Sequence, residues 1–137
     1  MEWEEAKEVK SEVKKIVKTL ELTHIKPSRI FCFRTRGSTS RSYARIWSFP
    51  KIFQRALNVD SAYVIEVLSK HYDKLNQDQK TMVIIHELMH IPKNFSGALL
   101  PHRGRNRHLE KDARRLFSEY KKFSEFKKFS EFKKKSL

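Results

Sequence analysis

One stretch constrains this chain more than any other: Thr81-Met82-Val83-Ile84-Ile85-His86-Glu87-Leu88-Met89-His90-Ile91. It is apolar enough to be buried, yet it carries two histidines and a glutamate. On a helix, residues i and i+4 share a face, so His86 and His90 would present two imidazoles to one point. Buried imidazoles need partners, because a polar group taken out of water without one costs free energy. The spacing predicts a helix with marked ends. Asn76 can cap it with Gln79 in a capping-box relation, and Pro92 stops it after the second histidine.

A single metal ion satisfies both imidazoles, and zinc suits them. Glu87, one step round the helix, can reach a water on that metal and act as general base. This is the H-E-x-x-H pattern of zinc metalloproteases. The bland alternative is a pair of hydrogen-bonded core histidines, since so short a pattern also arises by chance.

The remaining chain reads as one α+β domain, a short mixed sheet backed by an N-terminal helix. Trp3 to Leu20 has apolar residues at spacings of three and four (Trp3, Ala6, Val9, Val13, Ile16, Val17, Leu20), which predicts an amphipathic helix. Strands are expected over Arg29–Thr35 and Ser42–Phe49, and most clearly over Ala62–Leu68, where Tyr63, Ile65 and Val67 point into the core. Pro50 to Asn58 fits a short helix or a loop. Lys93 to Arg105 is a loop, and Asn106 is placed to cap a last helix buried through Leu109, Ala113, Leu116, Phe117 and Tyr120. Residues 1–117 form the expected catalytic domain. Residues 118–137 are a tandem repeat, Ser-Glu-aromatic-Lys-Lys, that can continue the last helix.

A catalytic zinc site takes three protein ligands and leaves a position open. The metzincin spacing would need glycine at 93 and histidine at 96, where the chain has Lys93 and Ser96. The gluzincin spacing takes a glutamate from a following helix, twenty positions after His90, which is Glu110. Helix geometry puts Glu110 at the margin of the apolar face and His108 toward solvent. The bland reading of Glu110 is a first-turn glutamate favoured by the helix dipole, and motif and spacing together favour the ligand. His102 is its rival as ligand, or else a catalytic residue that stabilises the oxyanion formed when water attacks a peptide carbonyl. Tyr43 is a weaker candidate for that task.

The strand Tyr63–Leu68, the segment Ile85-His86-Glu87-Leu88-Met89-His90-Ile91-Pro92 and the loop from Phe95-Ser96-Gly97 to Pro101-His102 together resemble the minigluzincins. These are minimal gluzincin peptidases related to phage and archaeal metallopeptidases, and the likeness covers roughly Arg29 to Tyr120. It implies zinc on His86, His90 and Glu110, with Glu87 as base and acid. It also implies that Ala62–Leu68 is the upper rim of a cleft, pairing with extended substrate as an added strand. Where thermolysin-like enzymes have an aspartate to orient a histidine, four residues after the glutamate, this chain has Arg114. Minigluzincins are associated with latency through terminal segments, so the aromatic tail Phe117–Leu137 is a candidate to occupy a cleft, its own or a neighbour's.

The formal net charge of +14 leaves other functions open. The tail has seven lysines against three glutamates, and a second basic run spans His102 to His108. Such a balance attracts nucleic acid or acidic protein. Hence the alternatives to a plain zinc endopeptidase are a nucleic-acid-associated SprT-like protease and a non-catalytic basic binding module. The single cysteine, Cys32, rules out a disulfide framework within one chain. With no signal-like start and no membrane-length apolar run, a cytoplasmic protein without a membrane partner is expected. The expected partners are a peptide or protein substrate and, through the tail, a second copy.

Overall fold

The computed structural model describes residues 1–104 and 107–135. The chain runs β1 (Glu2–Glu5), α1 (Lys7–Thr19), a 3-10 turn (Pro27–Arg29), β2 (Ile30–Arg36), β3 (Ala44–Trp47), α2 (Lys51–Leu57), β4 (Tyr63–Leu68), α3 (Ser69–Tyr72) and α4 (Gln77–Leu88). A two-residue hairpin, β5 (Arg103–Gly104) and β6 (Arg107–His108), then leads into α5 (Leu109–Lys135). The class is α+β, as the pattern of elements predicts.

The sheet order is β1-β2-β4-β3. β4 runs parallel to β2 and antiparallel to β3, with Ile30 opposite Tyr63 and Cys32 opposite Ile65 on one side, and Ile46 opposite Ile65 on the other. β4 is therefore an inner strand. This corrects the expectation that Ala62–Leu68 forms the rim on which a substrate adds: both its edges are already paired. β3 is the edge strand on that side of the sheet.

A second correction concerns the N-terminus. Glu2–Glu5 is a strand, antiparallel to β2, and the helix begins only at Lys7. Trp3 fits the helical spacing but stays 68% exposed, so nothing apolar draws it into α1's buried face. Pairing instead satisfies the backbone, and the Arg36 guanidinium reaches Glu4 at 2.8 Å across the strands.

From Lys7 onward the spacing argument works. Val9, Val13, Ile16 and Val17 form the buried stripe of α1 and lie against Ile30, Cys32, Ile65 and Val67 of the sheet. Truncating one of these large side chains to alanine would cost about 2–5 kcal/mol. The last helix buries Leu109, Ala113, Leu116 and Tyr120 as expected, with Phe117 half-buried beside them. α5 continues unbroken through residue 117, so the expected boundary at 117/118 falls inside a helix. Beyond the body its Phe123, Phe126, Phe129 and Phe132 are exposed. The expected cap at Asn106 lies outside the described residues. No helix among the described residues is long and apolar enough to cross a membrane.

Candidate metal centre

α4 and the turn that closes it carry the first two histidines, and the helix start is fixed as expected. The Asn76 side chain accepts from the Gln79 amide at 2.8 Å, and the Gln79 side chain accepts from the Asn76 amide at 3.0 Å. Thr81, Ile84, Ile85 and Leu88 bury the helix. The α-helix itself ends at Leu88, and the chain tightens into a last turn in which the His90 amide donates to Glu87 at 3.1 Å. His90 thus leaves the helix one turn after His86, with their ring centroids 5.4 Å apart.

The third imidazole comes from the far end of the following loop. His102 Nε2 lies 3.0 Å from His86 Nε2, and its ring centroid is 4.6 Å from that of His90. One ring nitrogen from each of His86, His90 and His102 falls within 4.8 Å of the other two. Among the described residues, this is where metal-ligating atoms of three side chains converge.

The donor set fits a metal. His90 Nδ1 is 2.5 Å from the Leu100 carbonyl oxygen, which can only accept, so Nδ1 carries the proton and Nε2 is left with its lone pair. Burial lowers the His86 pKa, and neighbouring His90 and His102 lower it further, so the imidazole is neutral near pH 7 as a ligand must be. Three imidazoles are a known catalytic zinc set that leaves one position open.

Glu87 is buried beside them, and burial alone pushes its carboxyl up to about 7. A carboxyl poised there can both take and return a proton at neutral pH. Glu110, the other expected ligand, lines the same cleft but is placed differently. Its side chain is 70% exposed and its Oε2 sits 3.5 Å from Arg114 Nη2, while its charge acts on His86 from the rim. Of the expected site residues, the structure thus brings together His86, Glu87, His90 and His102, and leaves Glu110 at the edge. His108 is exposed, as expected.

The cleft has a volume of about 600 Å³. Its other wall is Ser42 to Ile46, the edge strand β3 and the residues leading into it. Tyr43 is there, its ring edge-on to His71 at 6.4 Å. Arg45 is held by the buried Glu66 carboxylate at 2.8 Å, which also accepts from Trp47 Nε1 at 2.9 Å and from Thr35. Burial would raise the Glu66 pKa, yet these bonds and the Arg45 charge keep it below the usual range. Among the described residues, none beyond Arg114 lines this cleft.

Two parts of the site had no signal in the sequence. The Leu100 contribution is a main-chain oxygen, which no residue type advertises. The edge role of β3 depends on strand order, which alternation of polar and apolar residues does not encode.

A model of the family described as "Putative phage metallopeptidase" matches residues 1–121. No curated protein and no solved structure matches the chain.

Proposed function

We propose, from the premise that this chain belongs to that phage metallopeptidase family, that it hydrolyses peptide bonds at a zinc centre held by His86, His90 and His102. The observation that carries this reading is the convergence of the three imidazoles beside a buried carboxyl of raised pKa. When bound, the metal supplies a Lewis acid for the scissile carbonyl and an acidified water. The side chains do the rest. Glu87 takes the proton of the attacking water and delivers it to the leaving amine. The His90 tautomer is set by Leu100. An extended substrate adds to the free edge of β3, across the cleft from His86, rather than to β4.

The resemblance to minigluzincins favours Glu110 as third ligand. What supports His102 instead is distance: it lies in ligand range of His86, whereas Glu110 is exposed and paired with Arg114. In this reading Arg114 and Glu110 form an ion pair on the rim.

Bound zinc per chain after loading and desalting decides. The native chain and Glu110→Ala should each retain about one equivalent, and His102→Ala should lose it. Loss in Glu110→Ala with retention in His102→Ala restores the gluzincin ligand set. A native chain that takes up no zinc removes the peptidase reading. Glu87→Gln should keep the metal and abolish cleavage of an unfolded protein substrate.

A further inference from the structure

The loop from Pro92 to His102 carries two parts of the proposed site, the Leu100 carbonyl and the His102 imidazole, but no helix or strand of its own. Left to itself, such a loop samples many conformations, and a ligand on it would be displaced from the metal most of the time. It is held from outside, by side chains that never reach the cleft.

Tyr63, at the start of the inner strand β4, is 1% exposed. Its hydroxyl accepts from the Gly97 amide at 2.8 Å and donates to the Ala98 carbonyl at 2.8 Å. One phenol therefore satisfies two consecutive main-chain groups, as a neighbouring strand would. Its ring packs edge-on against Phe95 with centroids 5.0 Å apart. Ser61 Oγ donates to the Phe95 carbonyl at 2.6 Å. From α2, Gln54 Nε2 donates to both Ser96 and Phe49 carbonyls, at 2.9 and 2.7 Å.

The loop's backbone is bent to meet these partners. Phe95 has φ +49° and Gly97 has φ +94°, in the left-handed region. Gly97 also leaves no room for a side chain, since a Cβ there would lie 2.3 Å from Gln54 Nε2 and from the Phe49 carbonyl oxygen. Two residues beyond the Tyr63 contact, the Leu100 amide donates to the His90 carbonyl at 2.7 Å. Two residues beyond that stands His102. A shift of the loop at residues 97–98 is therefore passed along four residues of chain to the third ligand.

We propose that Tyr63 is a positioning residue of the metal centre, its hydroxyl fixing the loop at Gly97 and Ala98 so that Leu100 and His102 meet His90 and His86 in register, with Gln54 as the second clamp. This rests on the zinc reading given above. The tyrosine at the head of β4 acts on the site through the loop rather than by touching metal or substrate.

Zinc affinity by competition with a chelator, and the absorption spectrum of the cobalt(II)-loaded chain, test it on native protein, Tyr63→Phe and Gln54→Ala. Tyr63→Phe keeps the ring and loses only the hydroxyl. It should weaken zinc binding by roughly 10–100-fold, the usual consequence of losing an outer partner of a ligand, and should alter the cobalt bands. Gln54→Ala, at a half-buried position, should move both readouts in the same direction and remains folded if Tyr63→Phe does not. Lower thermal stability with native zinc affinity and an unchanged cobalt spectrum in these variants overturns the proposal and leaves a purely structural tyrosine. A native chain that binds neither metal overturns the zinc reading and this inference together. A native chain that binds, with variants that bind equally, overturns this inference alone.

Discussion

His90 and Leu100 hold each other twice: the Nδ1 proton of His90 is donated to the Leu100 carbonyl at 2.5 Å, and the Leu100 amide is donated to the His90 carbonyl at 2.7 Å. The pairing fixes the imidazole tautomer without any carboxylate, which answers the absence of an aspartate at position 114. In the proposed zinc site it also separates two jobs of His90, one nitrogen for the loop and one for the metal. His90→Asn can keep the first, because its amide nitrogen occupies nearly the place of Nδ1, and cannot do the second. Metal-free His90→Asn should therefore unfold in urea close to the native chain, while His90→Ala should be less stable by about 1–2 kcal/mol from the unsatisfied Leu100 oxygen. Neither should retain zinc. Equal stability of the two variants would show that the Leu100 bond contributes nothing.

Glu87 gives a pH signature in the metal-free protein. Its carboxyl is raised from 4.5 to about 7 by burial, so the folded state binds the proton more tightly than the unfolded chain does. The stability this contributes is complete below about pH 4.5 and is lost as pH rises through about 7. Above that, an ionised buried carboxylate weighs against folding by on the order of 3 kcal/mol. Glu87→Gln has no proton to lose. With a chelator present, its stability should match the native chain near pH 4.5 and exceed it by roughly 2–3 kcal/mol at pH 8. Parallel stability curves would mean that Glu87 is solvated as an ordinary surface carboxylate.

How far the sequence reveals this molecule depends on what each residue's neighbours are. The Asn76–Gln79 capping box and the buried stripe of α1 from Val9 to Val17 are local, set by spacings of three and four, and they were legible. Glu2–Glu5 was not, because its strand is imposed by β2, thirty residues away, over a helical pattern in which Trp3 is the weak member. His86 on α4 and His90 in the turn just past it were legible from their i, i+4 spacing. For the third ligand of the proposed site, spacing pointed to Glu110 with His102 as its rival, whereas the proposal takes His102, a choice that turns on how the 97–102 loop is folded back against Tyr63 and Gln54. That folding uses main-chain oxygens and a left-handed glycine, none of which a residue-type pattern carries.

Gly97 is where that loop is least tolerant of change. Alanine there would have to adopt φ +94°, which favours glycine, and place a methyl 2.3 Å from Gln54 Nε2 and the Phe49 oxygen. The backbone alone should cost more than about 1 kcal/mol, and displacement of Gln54 adds to it. Urea unfolding of metal-free Gly97→Ala should show a lower midpoint with an unchanged slope. An unchanged midpoint would mean that α2 yields without resistance, and that Gln54 clamps nothing.

Arg34 joins β2 to two helices, and its removal should change how the protein meets acid. The guanidinium reaches both carboxylate oxygens of Asp73 at 3.0–3.3 Å and also contacts Glu8. Burial would raise the pKa of each carboxyl, but the bonds and charge of Arg34 hold both below their usual values. A depressed folded pKa gives stability that is present above the unfolded value and lost as pH falls through the folded one. Part of that native stability should therefore disappear as pH falls below about 4.5, through the ordinary carboxyl range and beyond it. Arg34→Gln should lower stability at pH 7 by about 1–2 kcal/mol, a modest figure because Glu8 and Asp73 are partly exposed. It should also flatten the acid limb, since the two carboxyls then titrate near their unfolded values. Thermal unfolding from pH 3 to 7 measures both effects, and two limbs of equal slope would locate the acid sensitivity elsewhere in the fold.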